Sequence, residues 1–206
     1  MKLISYLIAV LLMALLVTSC ASDISARNAK HHASAADAAS KTGDWTTARK
    51  QWAQALVNAQ LAGAPAQQLA VFNYEYGRVL GVLCFWDESE KYLLKAYQLD
   101  HETGGPEFMS LLELSRLKYD QKQYDKSVPY YERAIEALDK VNAPTEAPAE
   151  FCVVLDEYAK ALLGSGKKEE SSSVHTRANE IRSKNPGRQS ITDRTPYGAQ
   201  CASKRF

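Results

Sequence analysis

The chain is poor in the residues that make reactive sites. It has four cysteines, at 20, 84, 152 and 201, none in a CxxC pair and none at zinc-site spacing to a histidine. Its four histidines are His31, His32, His101 and His175, and the adjacent pair reads as solvated side chains. A Gly-rich phosphate loop, His-Glu-x-x-His and Gly-x-Ser-x-Gly are all absent. The acidic pairs at 156–157 and 169–170 are ordinary on a helix surface. These absences leave no catalytic constellation, so no enzyme activity, cofactor, metal or small-molecule substrate is expected. Charge of one sign is also missing, since 25 basic residues meet 24 acidic ones. That balance gives no reason to expect a nucleic-acid partner. No useful stretch alternates polar and apolar residues as a strand would.

One long apolar run exists, from Leu3 to Val17 behind Lys2. It falls short of the roughly 20 residues that a bilayer-spanning helix needs, and it fits the h-region of a signal peptide. Val17-Thr18-Ser19-Cys20 resembles the lipobox of bacterial lipoproteins. That resemblance implies cleavage after residue 19, diacylglycerol and further acyl chains such as palmitate on Cys20, and an anchor of several chains. Ala21 stands where Asp would retain such a protein in the inner membrane of enterobacteria-like cells. The expected place is therefore the periplasmic face of the outer membrane. Residues 20–28 are expected to form a tether, reaching less than about 30 Å when extended.

Four segments of the remaining chain align. They begin at Gly43, Cys84, Lys122 and Gly166. In each, a small residue (Ala48, Ser89, Ser127, Ser171) stands seven places before an alanine (Ala55, Ala96, Ala134, Ala178). Between them lies a bulky side chain: Trp52, Leu93, Tyr131 or His175. Upstream, Tyr76-Gly77, Leu114-Ser115 and Tyr158-Ala159 repeat a bulky-then-small pair, with Ala35-Ala36 in the first unit. Apolar residues recur at three- and four-residue spacing, as in Leu111-Leu112-Leu114-Leu117. Small residues at helix crossings and large ones between them are what close antiparallel packing requires.

The pattern resembles the tetratricopeptide repeat (TPR), over most of residues 29–185. The resemblance implies an all-α, right-handed α-solenoid of about four helix-turn-helix units. The period departs from the usual 34 residues: the small second-helix residues lie 41, 38 and 44 places apart. Gly- and Pro-bearing connectors at 62–66, 101–106 and 142–148 hold the excess. Pro129 is expected in the first turn of the third unit's second helix, where its missing N–H is tolerated.

In this family the first helices of the units line a concave groove that binds protein segments. Glu-x-x-Arg/Lys recurs there, as Glu75–Arg78, Glu113–Arg116 and Glu157–Lys160. One reading is three intrahelical ion pairs of about 0.2–0.5 kcal/mol each. The other is a cationic ladder that receives a partner's carboxylates. On the second reading Arg78, Arg116 and Lys160 contact the partner. Tyr74, Leu112, Tyr119 and Asp156 share their face. The resemblance implies envelope proteins as partners, held through the groove while the lipid on Cys20 holds the membrane. A membrane-anchored periplasmic adaptor is one reading. A structural subunit or pilotin-like assembly factor of a pilus or secretion complex is the other.

After Asn185-Pro186-Gly187 the helical pattern stops, and residues 186–206 form a polar tail. Its Thr195-Pro-Tyr-Gly-Ala-Gln-Cys201 segment is similar to the C-terminal signature of a group of proteobacterial lipoproteins of this repeat class. Repeat geometry places Cys152, at the start of the fourth unit, near the edge from which the tail departs. A Cys152–Cys201 disulfide is therefore expected to pin the tail over the last repeat as a cap. Cys84 is then expected to be a buried small hydrophobe.

Overall fold

The computed structural model describes the backbone of residues 2–201 and the side chains of residues 22–201. The apolar side chains of the signal-like segment and Cys20 lie outside the described side chains. The described chain is all helical. Its elements are α1 (Lys2–Lys41), α2 (Trp45–Leu61), α3 (Ala66–Val82), α4 (Trp86–Thr103), α5 (Glu107–Asp120), α6 (Tyr124–Lys140), α7 (Ala143–Glu146), α8 (Pro148–Gly164) and α9 (Lys168–Lys184). Four hairpins, α1–α2, α3–α4, α5–α6 and α8–α9, stack in order. The short α7 is an insertion between the third and fourth.

The turn inside each hairpin starts from the same backbone state. Gly43, Cys84, Lys122 and Gly166 all have positive φ, between 60° and 82°. These are the four residues that open the aligned segments. Glycine takes this conformation without a Cβ penalty, whereas Cys84 and Lys122 carry the cost for the sake of the turn. Turns between hairpins use Gly63, Gly104 and Asn142 in the same way.

Five residues beyond each left-handed position stands the small residue of the second helix. Ala48, Ser89 and Ser127 have no exposed surface. In three hairpins this residue is serine, and its hydroxyl donates to a carbonyl of the first helix. Ser89 reaches Gly77 O at 2.7 Å, Ser127 reaches Ser115 O at 2.8 Å and Ser171 reaches Ala159 O at 2.8 Å. The first hairpin has Ala48 and Ala36 at the corresponding positions, both fully buried. A Cβ on Gly77 would come within 2.9 Å of the Leu93 side chain, which shows how close the helices cross. Trp52, Leu93 and Tyr131 fill the space between crossings, but His175 in α9 points largely to solvent. The apolar core runs through two main clusters, one in the first two hairpins and one in the last two. Leu93, Leu114 and Leu117 lie between them, and the tail residue Tyr197 joins that middle cluster.

Three expectations are corrected here. Residues 21–28 are not an extended tether, because they continue α1. Ser22 Oγ bonds Ala62 O at 3.0 Å, so this stretch already packs on the array. Pro129 is the sixth residue of α6, since the helix starts at Tyr124 rather than nearer the proline. It lies on the exposed face, where water can reach the carbonyl left without an N–H donor. The tail does fold back, but it does not cap the last repeat. The terminal helix α9 buries only Ala178 and presents a polar outer face, so it caps the array itself.

Candidate functional site

The first helices α3, α5 and α8 present their Glu-x-x-Arg/Lys residues to one face. Each i, i+3 spacing puts the glutamate and the cation one turn apart, and the next helix then offers its own glutamate to the same cation. Arg78 pairs with Glu75 at 3.0 Å and approaches Glu113 at 3.8 Å. Arg116 pairs with Glu113 at 2.8 Å and with Glu157 at 2.9 Å. The result is a row of alternating charge, Glu75–Arg78–Glu113–Arg116–Glu157, running across three repeats.

The row continues into the tail. Arg194 approaches Glu157 at 3.3 Å and holds Asp120 in a bidentate pair at 2.8 and 2.9 Å. Thr195 Oγ1 accepts from Arg78 Nε at 2.8 Å. Tyr197 donates from its hydroxyl to Glu113 Oε2 at 2.7 Å. Beyond it, Gly198 and Gln200 donate backbone N–H bonds to the α3 carbonyls of Gly81 and Val82. The tail thus lies in the groove, crossing from the fourth hairpin back to the second and ending in a turn at residues 197–200. Gly81 makes room for it, because a Cβ there would sit 2.4 Å from the Tyr197 ring.

Cys201 ends this path in a disulfide with Cys84, across 117 residues of sequence. The expected Cys152–Cys201 bond is overturned. Cys152 is a free, buried thiol whose Sγ donates to Ala178 O at 3.3 Å under α9. Cys84 occupies the left-handed turn position that ends α3, which is where the groove-lying tail arrives.

Burial sets the protonation states. Glu113 is 3% exposed. Burial acts to raise its pKa, but Arg116 and Arg78 with the Thr195 and Tyr197 hydroxyls outweigh it and hold the carboxyl below its usual value. Glu75 goes the other way: burial raises it more than Arg78 lowers it. Burial works against the charges of Arg78 and Arg116, yet the flanking glutamates push both above the ordinary guanidinium value. Tyr197 stays protonated, raised first by burial and then by Glu113.

Of the residues singled out from the sequence, Tyr74, Arg78, Leu112 and Arg116 line one cavity. Arg78 lies over the Tyr74 ring, 5.5 Å from its centroid. Tyr119 stacks beneath Arg194 at 5.7 Å and belongs to a smaller cleft with Lys160. Lys160 is exposed, and Glu157 turns to Arg116 and Arg194 in its place. Asp156 faces α9, where it pairs with Arg182 and lies 3.5 Å from His175 Nδ1. Sequence reasoning missed Arg194, Thr195 and Tyr197. Their only signal was the Thr195–Cys201 segment, whose cysteine was expected to pair with Cys152.

The cavity that gathers Tyr74, Arg78, Leu112 and Arg116 has a volume of about 480 Å³. Phe108, Leu138, Phe151 and Val154 supply apolar walls, and tail residues Thr192 and Asp193 join the lining. The inserted α7 segment, including Ala143 and Glu146, also lines it. The extra residues of the 44-residue spacing therefore build part of this cavity. Among the described residues, no cluster of three or more His, Cys, Asp or Glu could hold a metal ion.

No family model matches the chain, and no curated protein matches it. Solved structures do resemble it. BtubC (BKLC) from P. vanneervenii superposes with a TM-score of 0.72 at 16% identity, covering 81% of this chain and 67% of that one. Aspartyl phosphate phosphatase F from Bacillus subtilis gives 0.68 at 16% identity, covering 77% of this chain and 41% of that one. A kinesin light chain from Podosopora anserina with nearly identical TPR-like repeats gives 0.66 at 15% identity, covering 84% and 81%. At these identities the likeness concerns the fold, and the fold of this chain is a TPR-like α-solenoid.

Proposed function

We propose that the protein is a lipid-anchored adaptor of the bacterial cell envelope, held by Cys20 at the periplasmic face of the outer membrane, whose helical array binds a segment of another envelope protein. One observation supports the interaction role above the rest. The groove already holds a polypeptide segment, its own residues 194–201, through side-chain and backbone bonds of the kind a partner segment would use. The anchor rests on the Val17-Thr-Ser-Cys20 pattern. Because residues 21–28 are helical and Ser22 already packs on the array, they leave almost no spacer between Cys20 and the array at about 1.5 Å per residue. A partner must therefore present its segment close to the membrane surface.

Labelling with radioactive palmitate in cells tests the anchor. The wild-type chain is expected to carry label and the Cys20→Ser variant none; a labelled Cys20→Ser chain would overturn the assignment. Photo-crosslinking in intact cells tests the face used. A benzoyl-phenylalanine at Met109, on the cavity wall, is expected to yield defined adducts. The same group at Leu94, exposed on α4, is expected to yield none. Equal adducts from both positions would remove the groove from the function.

A further inference from the structure

The charge on the open part of the groove is opposite to the one the sequence suggests. Arg78 and Arg116 are each shared between two glutamates, so neither is available to a partner's carboxylate. The cavity is lined by these two cations and by four carboxylates, Glu113, Glu146, Glu150 and Asp193. Glu113 is bound by Arg116 and Tyr197. The carboxylates of Glu146, Glu150 and Asp193 have no hydrogen bond or ion pair among the described residues. Glu146 and Asp193 are exposed, and Glu150 is half-buried. Behind these acids the walls are apolar, and Met109 and Val141 remain 39% and 55% exposed. A volume of about 480 Å³ holds one or two large side chains, within the range of roughly 300–1,000 Å³ for ligand pockets.

We propose that this cavity is the docking site for a partner peptide segment in which a large apolar side chain is flanked by lysine or arginine. The apolar side chain enters between α5 and α8, and its basic neighbours meet Glu146, Glu150 and Asp193. Charge complementarity selects the partner, since an acidic segment would face three unpaired carboxylates with no free cation among the lining residues. The inserted α7 is then a recognition element, because it supplies Glu146 to the lining. This inference rests on the adaptor reading and specifies its partner.

The test uses the full chain in zwitterionic detergent micelles and two fluorescein-labelled peptides. One is Gly-Lys-Phe-Leu-Lys-Gly, and the other has glutamate in place of both lysines. Fluorescence anisotropy gives the affinities, and the Met109 methyl resonance reports where each peptide binds. The lysine peptide is expected to bind about ten-fold tighter than the glutamate peptide, as two or three partly exposed ion pairs allow. It should shift the Met109 methyl. Combined Glu146→Lys and Glu150→Lys substitutions should abolish or reverse the preference. Equal affinities, a preference that survives the double substitution, or an unmoved Met109 methyl would each overturn the proposal. Crosslinks from Met109 in cells alongside such a result would leave the adaptor reading standing and this partner chemistry refuted.

Discussion

The hydroxyl of Tyr197 donates to Oε2 of Glu113 at 2.7 Å, joining residues 84 apart in sequence at a carboxylate that is 3% exposed. This bond ties the tail to the centre of the alternating charge row. A buried carboxylate needs every donor it has, because each missing one leaves charge without compensation. Tyr197→Phe keeps the ring among Leu93, Leu114 and Leu117 and removes only that donor. A loss of about 1.5–3 kcal/mol in chemical denaturation is expected, the range for a hydrogen bond to a charged group. A loss under about 0.5 kcal/mol, the usual scatter for changes away from such features, would show that Arg116 and Arg78 satisfy Glu113 alone.

The second prediction concerns the covalent end of the same segment. Cys84–Cys201 closes a loop across 117 residues of sequence, so it restricts the unfolded chain strongly. Cys201→Ser is expected to cost about 2–4 kcal/mol. A non-reduced tryptic digest should show the Cys84 and Cys201 peptides joined, with Cys152 alkylated only after denaturation. A joined Cys152–Cys201 pair would refute the arrangement described here.

Much of the array was legible in the sequence because its geometry is local and repeated. Ala48, Ser89 and Ser127 must be small wherever two helices cross, so the residue type reports the position. The glutamate–arginine spacing was legible as well, but only within one helix. Nothing at i, i+3 reveals that Arg116 also reaches Glu157, 41 residues on, because that contact depends on how the repeats stack. The tail was read as polar and hence peripheral. Its polarity instead matches a charged groove: Arg194 supplies the last cation of the row, and Thr195 and Tyr197 supply hydroxyls. The Cys152–Cys201 expectation failed for the same reason, since it assumed that the last repeat needed a cover when α9 already provides a polar one.

Gly81 gives a third prediction. Its missing Cβ leaves the space that the Tyr197 ring occupies, at 2.4 Å from where that atom would be. Gly81→Ala improves helix propensity by up to about 1 kcal/mol, so the array itself should persist. The larger clash falls on the tail, with a lesser one at 2.9 Å on Ser89 Oγ at the α3–α4 crossing. Circular dichroism is expected to be unchanged while trypsin cleaves at Arg188 and Arg194 markedly faster than in the wild type. Unaltered cleavage would mean that the ring can shift without leaving the groove.

Acid should release the tail before it unfolds the array. Glu113 has its folded pKa held below the unfolded value, which is near 4.3 for a glutamate. The unfolded chain therefore binds more protons than the folded one in this window, and stability falls as protons are added. The contribution from Glu113 is fully present above the unfolded value and is lost as pH drops through the folded one. Glu75 acts with the opposite sign, since burial raises its folded pKa and its contribution grows as pH falls. The two are separated by substitution. Glu113→Gln leaves Arg116 facing Glu157 alone and lowers stability at neutral pH, by about 3–5 kcal/mol for a broken buried pair. It should also flatten the acid limb of the stability curve below about pH 4.3. Denaturant midpoints measured from pH 7 to pH 2 give both quantities. An acid limb as steep in Glu113→Gln as in the wild type would place the acid sensitivity elsewhere in the charge row.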